Sequence, residues 1–140
     1  QLHTEYLEIL KNRRILLAED NDLNAEITET LLEEQQLKVE RVGDGKECLR
    51  TLQEMPEEYY DMILMDIQMP VMNGYEAAKA IRQLPGKRGS IPVVALTANA
   101  FEEDRKKALD AGMNGHIAKP LNMERLLLTM GEILSDCIFS

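Results

Sequence analysis

The sequence predicts an α/β fold: a doubly wound sheet of five parallel strands with helices on both faces. Five short apolar runs recur along the 140 residues, and segments with helical spacing separate them. That alternation implies a parallel sheet covered on both sides. One run, Lys38-Val39-Glu40-Arg41-Val42, instead alternates polar and apolar residues, as an edge strand exposed on one side would.

The elements follow in order. Arg14-Ile15-Leu16-Leu17-Ala18 reads as a buried strand closed by Glu19-Asp20-Asn21-Asp22. Leu23, Ile27, Leu31 and Leu32 then recur at helical spacing, which predicts a helix using them as its apolar face. After the edge strand, Gly43-Asp44-Gly45 reads as a turn, and Cys48, Leu49 and Leu52 give a short helix. Met62-Ile63-Leu64-Met65 is a buried strand ending at Asp66, and Met69-Pro70 with Asn73-Gly74 mark the loop beyond it. A helix carrying Ala77, Ala78 and Ile81 runs to about Leu84, where Pro85-Gly86 stops it. Ile91 to Thr97 is the fourth strand, with Pro92 tolerable only near its start. A helix over Glu102 to Ala111 ends at Gly112, and Gly115 to Ala118 is a short fifth strand. The last helix carries one stripe of Met123, Leu126, Leu127, Met130, Ile133 and Leu134. Right-handed crossovers leave few topologies, and the flavodoxin-like order 2-1-3-4-5 is the simplest, with the alternating strand at an edge.

Composition bounds the function. The length fits one domain with a real core. A formal net charge of −9 argues against a nucleic-acid binder. No apolar stretch of about 18 residues exists to span a membrane, and no secretory signal pattern is present. Cys48 and Cys137 are far apart and lack metal-ligand spacing, which predicts a reducing, cytoplasmic setting. Residues 1–13 read as a linker or N-terminal extension, 14–134 as the domain and 135–140 as a C-terminal tail. The start at Gln1 fits a piece of a longer protein.

Ligands in such sheets bind beyond the carboxyl ends of the strands, at the switch point between strands one and three. Glu19-Asp20 and Asp66 stand at those two ends. Three converging carboxylates raise one another's pKa unless a cation neutralises them. A hard divalent ion answers that need, and Mg²⁺ is favoured because it works through few carboxylates, waters and phosphate oxygens. Thr97 ends strand four with a hydroxyl, and Lys119 follows strand five with a compact positive charge suited to phosphate. Together these groups make a phosphoryl-transfer site with Asp66 as nucleophile. Acidic residues after a strand are often only helix caps. The combination of five groups on four strand ends is what outweighs that reading.

Ala18-Glu19-Asp20-Asn21, Leu64 to Pro70, Leu96-Thr97-Ala98 and Ala118-Lys119-Pro120 resemble, in order and spacing, the receiver domain of two-component response regulators. Glu19-Asp20-Asn21 and Leu96 to Ala100 resemble most the receivers of hybrid sensor histidine kinases. The resemblance implies that Asp66 accepts phosphate from a phosphohistidine. Glu19, Asp20, Asp66 and the Gln68 backbone carbonyl would arrange Mg²⁺. Thr97 would sense the phosphoryl group, Lys119 would neutralise it, and Lys119-Pro120 would be cis. Gln68 and Asn99 stand two residues after Asp66 and Thr97, positions that flank the hydrolytic water and tune phosphoryl lifetime. Two positions depart from the family: Glu19, where many relatives have Asp, and His116, where the switching side chain is usually Tyr or Phe.

The implied partner is a histidine kinase phosphoacceptor domain or a histidine-containing phosphotransfer domain, docking near the first helix and the site loops of a monomeric receiver. The alternatives are a stand-alone regulator, a degenerate receiver used only for docking, and a Mg²⁺-dependent phosphatase of the haloacid dehalogenase type. The phosphatase needs an aspartate two residues after its nucleophile, where this chain has Gln68.

Overall fold

The computed structural model describes residues 4–98 and 101–139, with Thr4 and residues 136–139 described by backbone alone. Twelve elements follow one another: α1 (Thr4–Leu10), β1 (Arg14–Ala18), α2 (Asp22–Glu33), β2 (Lys38–Val42), α3 (Gly45–Glu54), β3 (Met62–Asp66), α4 (Gly74–Arg82), a 3₁₀ turn (Gly86–Ser90), β4 (Val93–Thr97), α5 (Glu102–Asp110), β5 (Gly115–Ala118) and α6 (Met123–Phe139). The strands form one parallel sheet in the order β2-β1-β3-β4-β5, as the sequence predicts.

Side-chain alternation divides the core in two. Leu16, Ala18, Ile63, Met65, Val93 and Ala95 face α3, α4 and α5 through Cys48, Leu52, Ala77, Ala78, Ile81 and Ala108. Ile15, Leu17, Met62, Leu64, Val94 and Leu96 face the other layer, where Leu10, Ala25, Leu32, Leu126 and Met130 pack. Every residue of β3 and β4 is buried, whereas β2 buries only Val42. Each large apolar side chain so buried contributes about 1.5–3 kcal/mol.

The helices start where polar side chains satisfy their free N–H groups. Asn21 caps α2, Asp44 caps α3, and Asn73 with Glu76 forms a reciprocal capping box on α4. Asn122 Oδ1 accepts from Arg125 N–H at the start of α6, 3.0 Å away.

Several expectations are corrected. Leu23 and Ile27 do not form the buried face of α2; they are 66% and 48% exposed, and Ala25, Thr28 and Leu32 pack inward instead. The Asn21 cap fixes the helix phase, and the sheet then takes the stripe of smaller residues. β4 begins at Val93, because Pro92 has no N–H to give the ladder. Gly86–Ser90 forms a 3₁₀ turn that the sequence reading treats as a simple stop. Gly45 opens α3 rather than closing a turn. α6 continues through Phe139, so Cys137 lies inside a helix rather than after one.

The segment read as a linker or extension contains α1, with Leu10 buried and Leu7 and Ile9 packed on the core. Its exit is held by the Asn12 N–H to Gln36 O (2.8 Å) and the Lys38 N–H to Arg13 O (2.8 Å). Among the described residues no helix is long and apolar enough to cross a membrane.

Candidate functional site

The cleft lies at the carboxyl ends of β1, β3, β4 and β5. A parallel sheet turns all its strand ends the same way, so residues far apart in the chain gather there. Glu19, Asp20 and Asp66 each offer a carboxylate oxygen, and these lie within 4.8 Å of one another. Glu19 and Asp66 are buried, whereas Asp20 is exposed at the rim. Lys119 reaches in from the end of β5, with Nζ 3.2 Å from Glu19 Oε1 and 3.3 Å from Asp66 Oδ1. A cavity of about 250 Å³ opens over them, also lined by Asn21, Asn24, Ile67, Gln68 and Ala98.

Backbone contacts hold these side chains. Asn21 N–H donates to Glu19 Oε2 at 3.3 Å, and Gln68 N–H donates to Asp66 Oδ1 at 3.4 Å. Arg41 on β2 donates to the Glu19 carbonyl (2.9 Å) and to Asp22 Oδ1 (2.8 Å), which pins the loop between β1 and α2. Gly74 lets α4 start directly beneath Asp66. A Cβ there would meet the Asp66 carbonyl oxygen at 2.6 Å and Ile67 Cα at 2.9 Å.

The electrostatics are unbalanced. One ammonium faces three carboxylates, and the Glu19 pKa is pushed up to about 7. Burial is the largest cause, followed by a hydrogen bond and charge repulsion from Asp66, with Lys119 opposing. Such a set stores unfavourable charge that a cation would relieve. The donors are all oxygen, with neither sulfur nor imidazole, and so they fit a hard ion such as Mg²⁺.

Thr97 is buried at the end of β4, and its carbonyl accepts from Lys119 N–H at 2.7 Å. The register pairs Ala95 with His116 and Thr97 with Ala118. Alternate residues share a sheet face, so half-buried His116 stands diagonally behind Thr97 on the same side. Lys119-Pro120 is cis, as the resemblance implies. Asn99 lies outside the described residues.

Val71 sits in the loop after β3 with φ +69°, while Met72 N–H donates to Pro70 O at 2.7 Å. This is a γ-turn of the rare positive-φ kind, strained for a β-branched residue.

Sequence reasoning missed Asn24 and Arg41. Asn24 had a signal, since it lies one helical turn after Asp20-Asn21 and must rise beside them. Arg41 had none, because its role depends on the pairing of β2 with β1.

The family model of the response regulator receiver domain matches residues 15–130. Hybrid signal transduction histidine kinase I of Dictyostelium discoideum is 38% identical over 117 residues, 81% of this chain and 7% of that protein. The chain therefore spans less than a tenth of this relative's length. The receiver domain of sensor histidine kinase PA1611 of Pseudomonas aeruginosa, solved with magnesium coordinated in its active-site cleft, is 38% identical with a TM-score of 0.76, covering 92% of this chain and 99% of that one. The receiver domain of the Saccharomyces cerevisiae response regulator Ssk1, solved with the histidine phosphotransfer protein Ypd1, is 30% identical with a TM-score of 0.75, covering 84% and 85%.

Proposed function

Because the chain belongs to the response regulator receiver domain family, we propose that it is the phosphoacceptor unit of a phosphorelay and that Asp66 is the residue phosphorylated. The carrying observation is the cleft itself: Asp66 buried at the end of β3, within reach of Glu19, Asp20 and the Lys119 ammonium. An Asp66 carboxylate oxygen forms the new bond to phosphorus. The bond from phosphorus to the donor histidine nitrogen breaks, and that nitrogen keeps the electron pair while the ring holds its proton on the other nitrogen. Lys119 stabilises charge on the transferring oxygens, and the Thr97 hydroxyl donates to one of them.

Glu19, Asp20, Asp66 and the Gln68 carbonyl would hold Mg²⁺, which when bound offsets the negative charge of carboxylates and phosphoryl oxygens. Gln68 lines the same cavity and cannot act as a general acid or base at neutral pH. Its position supports a slowly hydrolysed phosphoryl aspartate rather than a phosphatase. Asn99 is proposed to share that role. His116 takes the place of the usual aromatic and moves with Thr97 when the phosphoryl group arrives.

The partner surface is the outward side of α2. Leu23 and Ile27 are exposed there, and Ile27, Thr28, Pro120 and Leu121 border a 140 Å³ slot that also reaches Glu19 and Lys119. An apolar patch beside the nucleophile fits a histidine-bearing helix bundle that must dock and deliver its phosphoryl group. A hybrid histidine kinase is the parent protein we favour, with a cytoplasmic receiver; the domain then begins at α1 rather than at Arg14.

Intact-mass measurement after treatment with a small phosphodonor and Mg²⁺ tests the assignment. The wild type should gain one phosphoryl group and Asp66→Asn should gain none. An equal adduct on the mutant would place the nucleophile elsewhere.

A further inference from the structure

Helix α6 is anchored at its start and at its midpoint. At its start the Asn122 cap lies three residues after Lys119, the group that bridges Glu19 and Asp66. About 12 Å along the axis from Met123, eight residues into the helix, lies Gly131. There α1 crosses so closely that a Cβ on Gly131 would meet Tyr6 Cβ and Cγ, both at 2.8 Å. Leu10 is buried beside Met130 and Leu134. The end of α1 is tied down as well. Arg13 Nε donates to Ile9 O at 2.8 Å, and its guanidinium pairs with Asp61 at 3.5 Å.

Resting on the phosphoacceptor reading above, we propose that α1 and α6 form a lever linking the occupancy of the cleft to the polypeptide that enters at α1. Among the described residues, the Lys119 ammonium pairs with the two carboxylates that a cation and a phosphoryl group would engage. When those partners change, the short Lys119–Asn122 connection shifts, and a helix whose backbone is fully hydrogen-bonded transmits the shift as a rigid body. The Tyr6–Gly131 contact leaves no slack, so α1 must follow α6 or separate from it. Coupling of this kind is reciprocal: loosening α1 changes the affinity of the cleft by the same factor that filling the cleft changes α1 docking.

Beryllofluoride with Mg²⁺, a phosphoryl analogue, is the probe. Amide hydrogen exchange across Thr4–Leu10 should change by about threefold or more when the adduct forms on wild type. Gly131→Ala wedges the seam while favouring helix at that position, and Tyr6→Ala thins it. Both should move the beryllofluoride midpoint by the factor seen in exchange. An adduct that leaves α1 exchange unchanged overturns the lever alone, as does a midpoint identical in wild type and both variants. A wild type that forms no adduct, read by fluorine NMR, overturns the phosphoacceptor reading and the lever with it.

Discussion

The two ends of the sheet carry similar polar residues and use them in opposite ways. At the amino end each cation has its partners: Arg13 pairs with Asp61 and Arg14 with Glu40, and Arg82 donates to neutral oxygens. Arg82 alone donates to Gly112 O (2.8 Å), Gly89 O (3.1 Å), Ile91 O (2.8 Å) and Asn114 Oδ1 (2.9 Å). Arg14 stacks 4.0 Å over Tyr59, and Tyr59 and Tyr60 both donate to Glu40. At the carboxyl end, three carboxylates share Lys119. Satisfied groups stabilise and do nothing else; groups left in conflict can respond to a ligand.

Substitutions at the two ends should therefore separate function from stability. The largest effect belongs to Asp66→Asn, which should lower phosphoryl incorporation by about three orders of magnitude or more without loss of thermal stability. A marked fall in Tm would show that Asp66 supports the fold. Lys119→Ala should cost roughly a hundredfold in the same assay. Arg82→Ala should do the reverse, losing about 3 kcal/mol in denaturant unfolding with an unchanged phosphorylation rate, because it removes the guanidinium bonds to the Gly112, Gly89 and Ile91 carbonyls.

Next in size is the pH dependence of the carboxyl end. The native Glu19 pKa of about 7 lies above its ordinary 4.5, so the folded state binds that proton more tightly. The resulting stability is fully present below the unfolded value and is lost as pH rises through the folded one. Stability without metal should fall by up to ~3 kcal/mol between about pH 5 and 8. Mg²⁺ takes the deprotonated carboxylate, so it should stabilise more at the higher pH. Glu19→Gln should flatten the slope in thermal unfolding, and a slope that persists would assign it to another group.

The smallest effect is at Val71. Glycine accepts its positive φ, so Val71→Gly should add about 1 kcal/mol of stability and leave phosphorylation intact. A loss of stability would mean that the exposed side chain packs in the folded domain.

The contrast between the ends explains what was legible. The conflicted end is written locally: each strand of consecutive apolar residues terminates in a chemical group, and β3 ending at Asp66 reads without a structure. The satisfied end is written non-locally. Arg82 appears as one more charge on a helix, and nothing near it in sequence announces Gly89, Ile91 or Asn114 as partners. α2 misled for the same reason. Leu23 and Ile27 have the spacing of a core face, but Ala25 and Leu32 fit closer to the sheet.

The sequence by itself determined the parallel sheet, its strand order and the groups at its carboxyl ends, because strand period, turn residues and crossover handedness are local or nearly universal constraints. Tertiary structure alone decided that α1 docks on α6, that Leu23 and Ile27 face outward, and that Glu19 holds its proton to near neutral pH. Those outcomes depend on which surfaces exclude water together, and burial is a property of neighbours distant in the chain.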